Sequence, residues 1–184
     1  MTKRKALTKL SGTDIANSKA LEISNYIKDL YQKLGVKAEV IDMADFPLGD
    51  VVGGKYMEKI PSIEKFRAPV INADALLFVI PEYNGSFPGI LKMLIDYLPY
   101  PSALIDKPIA YVGIAGGAFG GLRPVEQFQM VANYLNAHQF PERVFISRVQ
   151  SMFDPEVGIK DEFQQNLLLS QTKGFIKFVK ALKE

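Results

Sequence analysis

Residues Ala75, Leu76, Leu77, Phe78, Val79 and Ile80 form an unbroken apolar run closed by Pro81. A strand with one wet face alternates apolar and polar side chains. A run with no alternation belongs to a strand buried on both faces, as in a parallel sheet covered by helices on each side. Residues 109–115 repeat the signal. Weaker runs at 6–10, 36–43 and 144–147 complete five strands, the first diluted by Thr8 and Lys9. Helical periods fall between them. Residues 18–34 carry Ala20, Ile23, Ile27, Leu30, Tyr31 and Leu34 on one face, with Gly35 as a stop signal. A weaker helix covers 62–72, one with Pro88 in its first turn runs through Leu98, another spans 124–138, and a long one covers 161–182. Strands separated by helices pair in parallel. The chain therefore reads as one α/β domain over 1–184, a doubly wound three-layer sandwich around five parallel strands.

The 184 residues include no cysteine, no tryptophan and a single histidine. That excludes disulfides, a thiolate nucleophile, Cys-ligated metal centres and two-histidine zinc motifs. A Ser-His-Asp machine would rest on His138 alone, which is expected at a helix end. Chemistry carried by a bound group is the alternative to missing side-chain catalysts. Lys and Arg outnumber Asp and Glu by 22 to 20 and are scattered, apart from Lys3, Arg4, Lys5 and Lys9. This is too even for a nucleic-acid binder, and no nucleic acid is expected as a partner. No run approaches the length of a membrane span, and residues 6–10 are too short for the core of a secretory signal. A soluble, cytoplasmic protein away from membranes is the expectation.

Doubly wound sheets bind ligands beyond the carboxyl ends of their strands, where strand order reverses. Three loops fall there. The first, Ser11, Gly12, Thr13, Asp14, Ile15, Ala16, Asn17 and Ser18, leads a strand into a helix. Its hydroxyls and free N–H groups suit a phosphate, or Asn17 and Ser18 simply cap the helix. It holds neither a Walker A lysine pattern nor GxGxxG. The second, from Pro81 through Glu82, Tyr83, Asn84, Gly85, Ser86 and Phe87 to Pro88, has the composition of a turn. It also puts two aromatics and a glycine at a strand end, where an aromatic ligand with polar edges would need them. The third, Gly116, Gly117, Ala118, Phe119, Gly120 and Gly121, either admits close backbone approach to a ligand or merely connects.

The segment from Pro81 to Lys92, continuing through Ile95, Asp96 and Tyr97, resembles the signature of the NAD(P)H-dependent FMN reductase family, which includes chromate, quinone and azobenzene reductases. The resemblance extends to Ser11, Gly12 and Thr13, to Asp45, Phe46, Pro47 and Leu48, and to Gly116 and Gly117. It implies a flavodoxin-like fold with bound FMN. NADPH or NADH would be the co-substrate, and the electron acceptor a quinone, flavin, azo compound or metal oxyanion. It further implies that Ser11, Thr13, Asn17 and Ser18 hold the phosphate. Pro81, Glu82, Tyr83, Asn84, Gly85 and Ser86 would line the ribityl chain and the isoalloxazine edge, and Gly116, Gly117 and Phe119 would close the other side. A homodimer or homotetramer with the flavin near the subunit interface is implied as well. Two positions depart from the family pattern. An arginine is common where this chain has Ile15, and an asparagine where it has Ala20. Losing a charge-assisted phosphate contact costs about 1.5–3 kcal/mol.

On this reading no side chain need act as acid or base, because hydride passes from nicotinamide to flavin and the protein stacks the two rings. A backbone N–H of the 84–86 turn would meet flavin N5, and Tyr83 and Phe119 would shape the nicotinamide slot. Arg123 and Lys55 are the bases considered for a 2′-phosphate. Lys9 is expected to be solvated or to face a second subunit. The rival readings are an FMN-carrying electron carrier without turnover, which the near-neutral charge disfavours, and a dimerising relative that has lost FMN.

Overall fold

A computed structural model describes residues 6–56 and 58–183; Lys3, Arg4 and Lys5 lie outside this range. Strands β1 (Ala6–Ser11), β2 (Lys37–Asp42), β3 (Ala75–Pro81), β4 (Pro108–Ile114) and β5 (His138–Ile146) form one parallel sheet in the order β2-β1-β3-β4-β5. Helices α1 (Lys19–Lys33), α2 (Pro61–Asn72), α3 (Gly89–Tyr97) and α4 (Leu122–Tyr134) connect them. After β5 come α5 (Val149–Met152), a small hairpin of β6 (Phe153–Asp154) and β7 (Gly158–Ile159), and the long α6 (Glu162–Ala181). The expected three-layer α/β sandwich is the fold observed.

Alternation along the strands divides the core in two. Leu7, Leu77, Val79, Ala110 and Val112 pack under α1 and α6, against Ile23, Ile27, Leu168 and Phe175. Leu10, Leu76, Phe78, Ile80 and Tyr111 point the other way, toward Val70 of α2, Leu91 and Leu94 of α3, and Phe128 of α4. Every residue of β3 and β4 is buried, which is why both read as continuous apolar runs. At the start of α1 the Ser18 hydroxyl accepts from Leu21 N–H at 3.2 Å. At its end the N–H groups of Gly35 and Val36 close on Gln32 and Tyr31. Lys107 Nζ donates to the carbonyls of Val70 and Ile71, satisfying the last turn of α2.

Three expectations need correction. First, β5 begins at His138 rather than at residue 144, and α4 stops at Tyr134, so His138 opens an edge strand instead of ending a helix. Its Nε2 lies 3.4 Å from Asp106 Oδ1. The register against β4 jumps from Ile109↔Gln139 to Tyr111↔Arg143, so residues 140–142 bulge opposite Ala110. A bulge on an edge strand accommodates Pro141, whose missing N–H would break a central ladder. Second, Pro88 is the N-cap of α3, one residue outside the helix.

Third, Lys9 is fully buried. β1 is an inner strand of a sheet packed on both sides, with Leu10 in one core cluster and Leu7 in the other, and Lys9 shares with Leu7 the face covered by α1 and α6. Its Nζ has no hydrogen-bond partner among the described residues and stands 4.8 Å from the centre of the Tyr31 ring. Desolvation, reinforced by Lys28 and opposed by Asp29 and Glu39, lowers its pKa to about 7.

Candidate functional site

β1 runs down one side of β3 and leads to β2, while β3 leads to β4 on the other side, so strand order reverses between β1 and β3. The loops after β1, β3 and β4 leave the same sheet edge. Gly12 N–H donates to Val79 carbonyl at 2.9 Å, holding the first loop against β3. A Cβ on Gly12 would lie 2.7 Å from that carbonyl oxygen, so only glycine permits the approach. Thr13 Oγ1 and Tyr83 Oη are 2.5 Å apart, joining the first loop to the second. Glu82 N–H donates to Ile114 carbonyl at 3.1 Å, joining the second to the end of β4.

A continuous cleft lies along this edge in two lobes. One, of about 250 Å³, is lined by Thr13, Ile15, Ser18, Lys19, Pro81 and Tyr83, among others. The other, of about 260 Å³, is lined by Asn84, Gly85, Gly117, Phe119 and Arg123. Both share Glu82, Ala115 and Gly116. Together they fall within the roughly 300–1,000 Å³ typical of small-molecule sites.

Of the residues assigned to cofactor binding, Thr13, Ser18, Pro81, Glu82, Tyr83, Asn84, Gly85, Gly116, Gly117 and Phe119 therefore come together along the cleft. Three do not line it. Ser11 is buried at the end of β1, with its Oγ lacking a hydrogen-bond partner among the described residues. Asn17 is exposed and holds the turn into α1 at φ 54°. Ser86 sits behind its turn, its Oγ donating to Gln127 Oε1 at 2.5 Å. Lys55 lines neither lobe. The third loop also divides differently from its composition. Gly116 and Gly117 border the cleft, but the tightest glycine is Gly121, at φ 80°, where a Cβ would come within 2.6 Å of Ile114 N.

Several further residues line the cleft beyond those assigned to the cofactor from the sequence. Val149 and Gln150 of α5 line the first lobe. The third loop is tied to α5 by Val149 N–H to Ala115 carbonyl at 3.0 Å and Arg148 N–H to Gly117 carbonyl at 3.2 Å. Arg123 stands at the rim of the second lobe, with its guanidinium 4.5 Å from the centre of the Phe119 ring and Nη1 2.9 Å from Glu82 Oε1. Lys19 opens α1 and pairs with Glu22 at 2.6 Å.

The 83–86 turn settles which amides are free. Tyr83 N–H donates to Ser86 carbonyl at 2.8 Å and Ser86 N–H to Tyr83 carbonyl at 3.0 Å, while Asn84 and Gly85 both take positive φ, at 51° and 80°. This is a type I′ hairpin turn. The Ser86 N–H is consumed inside it, so only the tip N–H groups of Asn84 and Gly85 can meet a ligand.

The two ends differ in chemistry. At the first lobe, the first-turn N–H groups of Lys19 and Ala20 have no intrahelical acceptor, and the Thr13 and Ser18 hydroxyls stand beside them, a set suited to a phosphate. The buried Oγ of Ser11, without a hydrogen-bond partner among the described residues, and the Gly12 close approach lie under the same loop. At the second, Tyr83, Phe119 and the turn-tip amides suit a planar ring with polar edges. These residues fit FMN, with Ile15 supplying an exposed apolar side chain rather than a cation at the phosphate end.

A parallel sheet of this order with a phosphate-type loop at its switch point defines a doubly wound nucleotide-binding protein. Comparison with known proteins narrows the class. A family model for NADPH-dependent FMN reductases matches residues 7–151. An NAD(P)H-dependent FMN reductase of Pseudomonas aeruginosa is 32% identical over 159 residues, covering 81% of this chain and 82% of its own. An NADPH:quinone oxidoreductase of Arabidopsis thaliana is 32% identical over 141 residues, 73% of this chain and 70% of its own. The fold is similar to that of a flavoenzyme NAD(P)H:(acceptor) oxidoreductase of Paracoccus denitrificans, with a TM-score of 0.74 at 20% identity over 96% of this chain and 98% of that one. The chain belongs to the NADPH-dependent FMN reductase family and is an FMN-dependent NAD(P)H oxidoreductase.

Proposed function

We propose that the cleft between the 11–18, 81–86 and 115–119 segments holds FMN, with its phosphate in the first lobe and its ring in the second, and that the enzyme delivers electrons to quinone-class acceptors. The observation that carries this reading is the convergence of three separate loops on one cleft, with phosphate-type donors at one end and aromatic side chains with free amides at the other. Bound FMN supplies a ring that accepts hydride from NADPH or NADH and passes the electrons on.

The chain's own part is binding, orientation and exclusion of water. Thr13, Ser18 and the N–H groups that open α1 hold the phosphate, and the α1 dipole favours its charge. Pro81, Glu82, Tyr83, Asn84 and Gly85 present a fixed backbone to the ring edge, while Ala115, Gly116 and Gly117 close the opposite wall. Phe119 and Arg123 shape the entrance through which nicotinamide and acceptor take turns. No side chain in the cleft is required to move a proton.

The same reading includes association of two copies, as a dimer or dimer of dimers. Tyr100 and Tyr134 stack at 6.3 Å while 70% and 72% exposed, next to Met130 and a groove of about 330 Å³ between α3 and α4. Exposed aromatic side chains beside a groove of this kind suit an interaction surface. Sedimentation velocity is expected to give at least twice the chain mass, and Tyr134→Glu to shift the protein toward single copies.

Steady-state assays test the activity. With FMN bound, a benzoquinone, free FMN and an azo dye are each offered with NADPH or NADH. The quinone is expected to give the highest kcat/KM; a rate on quinone no higher than oxygen consumption alone would contradict the assignment.

A further inference from the structure

Arg123 and Gln127, four residues apart on α4, reach from one helix face toward the second loop. Arg123 takes the rim through Glu82, and Gln127 works beneath the turn. Its Nε2 donates to Gly85 carbonyl at 3.1 Å, and its Oε1 accepts from Ser86 Oγ at 2.5 Å. One carboxamide thus holds both residues at the back of the 83–86 turn.

The consequence follows from which groups are engaged. The peptide unit joining Gly85 to Ser86 has its carbonyl held by Gln127 and its N–H held by Tyr83 carbonyl. It cannot rotate without breaking two hydrogen bonds. Gly85 is the residue of the turn with the widest backbone range, and fixing its carbonyl fixes its ψ. The tip then keeps the observed φ values of 51° and 80°, and with them the direction of the Asn84 and Gly85 N–H groups.

We infer that Gln127 is a positioning residue. It touches neither flavin nor substrate, and acts by setting the direction in which the tip amides meet the edge of the isoalloxazine ring. This rests on the assignment of the cleft to FMN. Electrostatic preorganisation of this kind favours hydride acceptance only while the amides are held in advance of the reaction.

The test uses Gln127→Met, which keeps the volume and removes both hydrogen bonds, and Ser86→Ala, which removes one. In flavin-free protein, amide hydrogen exchange is expected to be about tenfold faster at Ser86 in Gln127→Met, with β4 amides unchanged. With FMN bound, the midpoint potential shifts. The limiting rate of flavin bleaching at saturating NADPH falls about tenfold, KM for NADPH stays within about twofold, and Ser86→Ala lies between. A folded Gln127→Met chain with wild-type Ser86 exchange, potential and limiting rate would overturn the role of Gln127; if that variant does not fold, the same readouts on Ser86→Ala decide. Wild-type chain that takes up no FMN would overturn the reading of the cleft, and this proposal with it.

Discussion

Lys9→Met is expected to raise the thermal midpoint by on the order of 10 °C at pH 7 and to flatten the rise of stability with pH expected of the wild type. The native state buries the Lys9 amine between β1, α1 and α6 with no hydrogen-bond partner among the described residues. Its pKa falls to about 7 there, first because burial disfavours the charged form and second because of Lys28, while Asp29 and Glu39 pull the other way. The unfolded chain keeps a lysine near its usual value of about 10.4 and so binds more protons between the two values. Stability therefore rises with pH across this window, by up to about 1.4 kcal/mol per unit, and the penalty is fully present below pH 7. The Tyr31 ring offsets part of it by facing the amine at 4.8 Å. Methionine fills a similar volume with no proton to lose. Thermal melts at pH 7 and urea unfolding at intervals from pH 6.5 to 9.5 measure the two effects. Some slope remains in the variant because burial also lowers the pKa of Lys107. Equal stability of wild type and variant at pH 7 would sink this account of Lys9.

Gly12→Ala acts just past the carboxyl end of β1 and in the opposite sense. The added Cβ would sit 2.7 Å from Val79 O, 3.3 Å from Pro81 Cδ and 3.4 Å from Ile80 Cα. The nearest obstacle is backbone, so no side chain can swing aside. β1 and β3 must part at the point where the first loop leaves the sheet, stretching the Gly12 to Val79 hydrogen bond. A loss of about 3 kcal/mol is expected, with FMN affinity lowered by at least about a hundredfold. Gly49→Ala, where no atom lies within 4 Å of the new Cβ, is expected to change stability by no more than about 0.5 kcal/mol. Thermal melts and flavin fluorescence titrations on both proteins make the comparison.

What could be read from the sequence depended on whether the physics was local. β3 and β4 are buried on both faces, so each residue carries the signal and both strands were placed within a residue of their observed bounds. The first two loops were visible because hydroxyls, glycines and the Asn84-Gly85 pair prefer such turns on their own account. β5 was largely hidden. Its first residues satisfy a bulged edge, where Pro141, Glu142 and Arg143 are tolerated, and they look like a connector. Lys9 misled for a related reason: a lone charge in a short strand reads as a wet face, and only the packing of α1 and α6 over that face shows otherwise. The Gln127 hydrogen bonds join residues 41 and 42 positions apart, and the four-residue α5 that braces the third loop is too short for any period. Composition gave those contacts no trace.

The central claim is that this cleft holds FMN in a form that a nicotinamide can reduce. Titrating flavin-free chain with FMN, then adding NADPH under anaerobic conditions while recording the visible spectrum, tests it most directly. The account predicts saturable uptake near one FMN per chain, weaker uptake of riboflavin if the first lobe takes the phosphate as proposed, and bleaching of the bound flavin by two electrons. No uptake of FMN, or a bound flavin that stays oxidised with both NADPH and NADH, would contradict it.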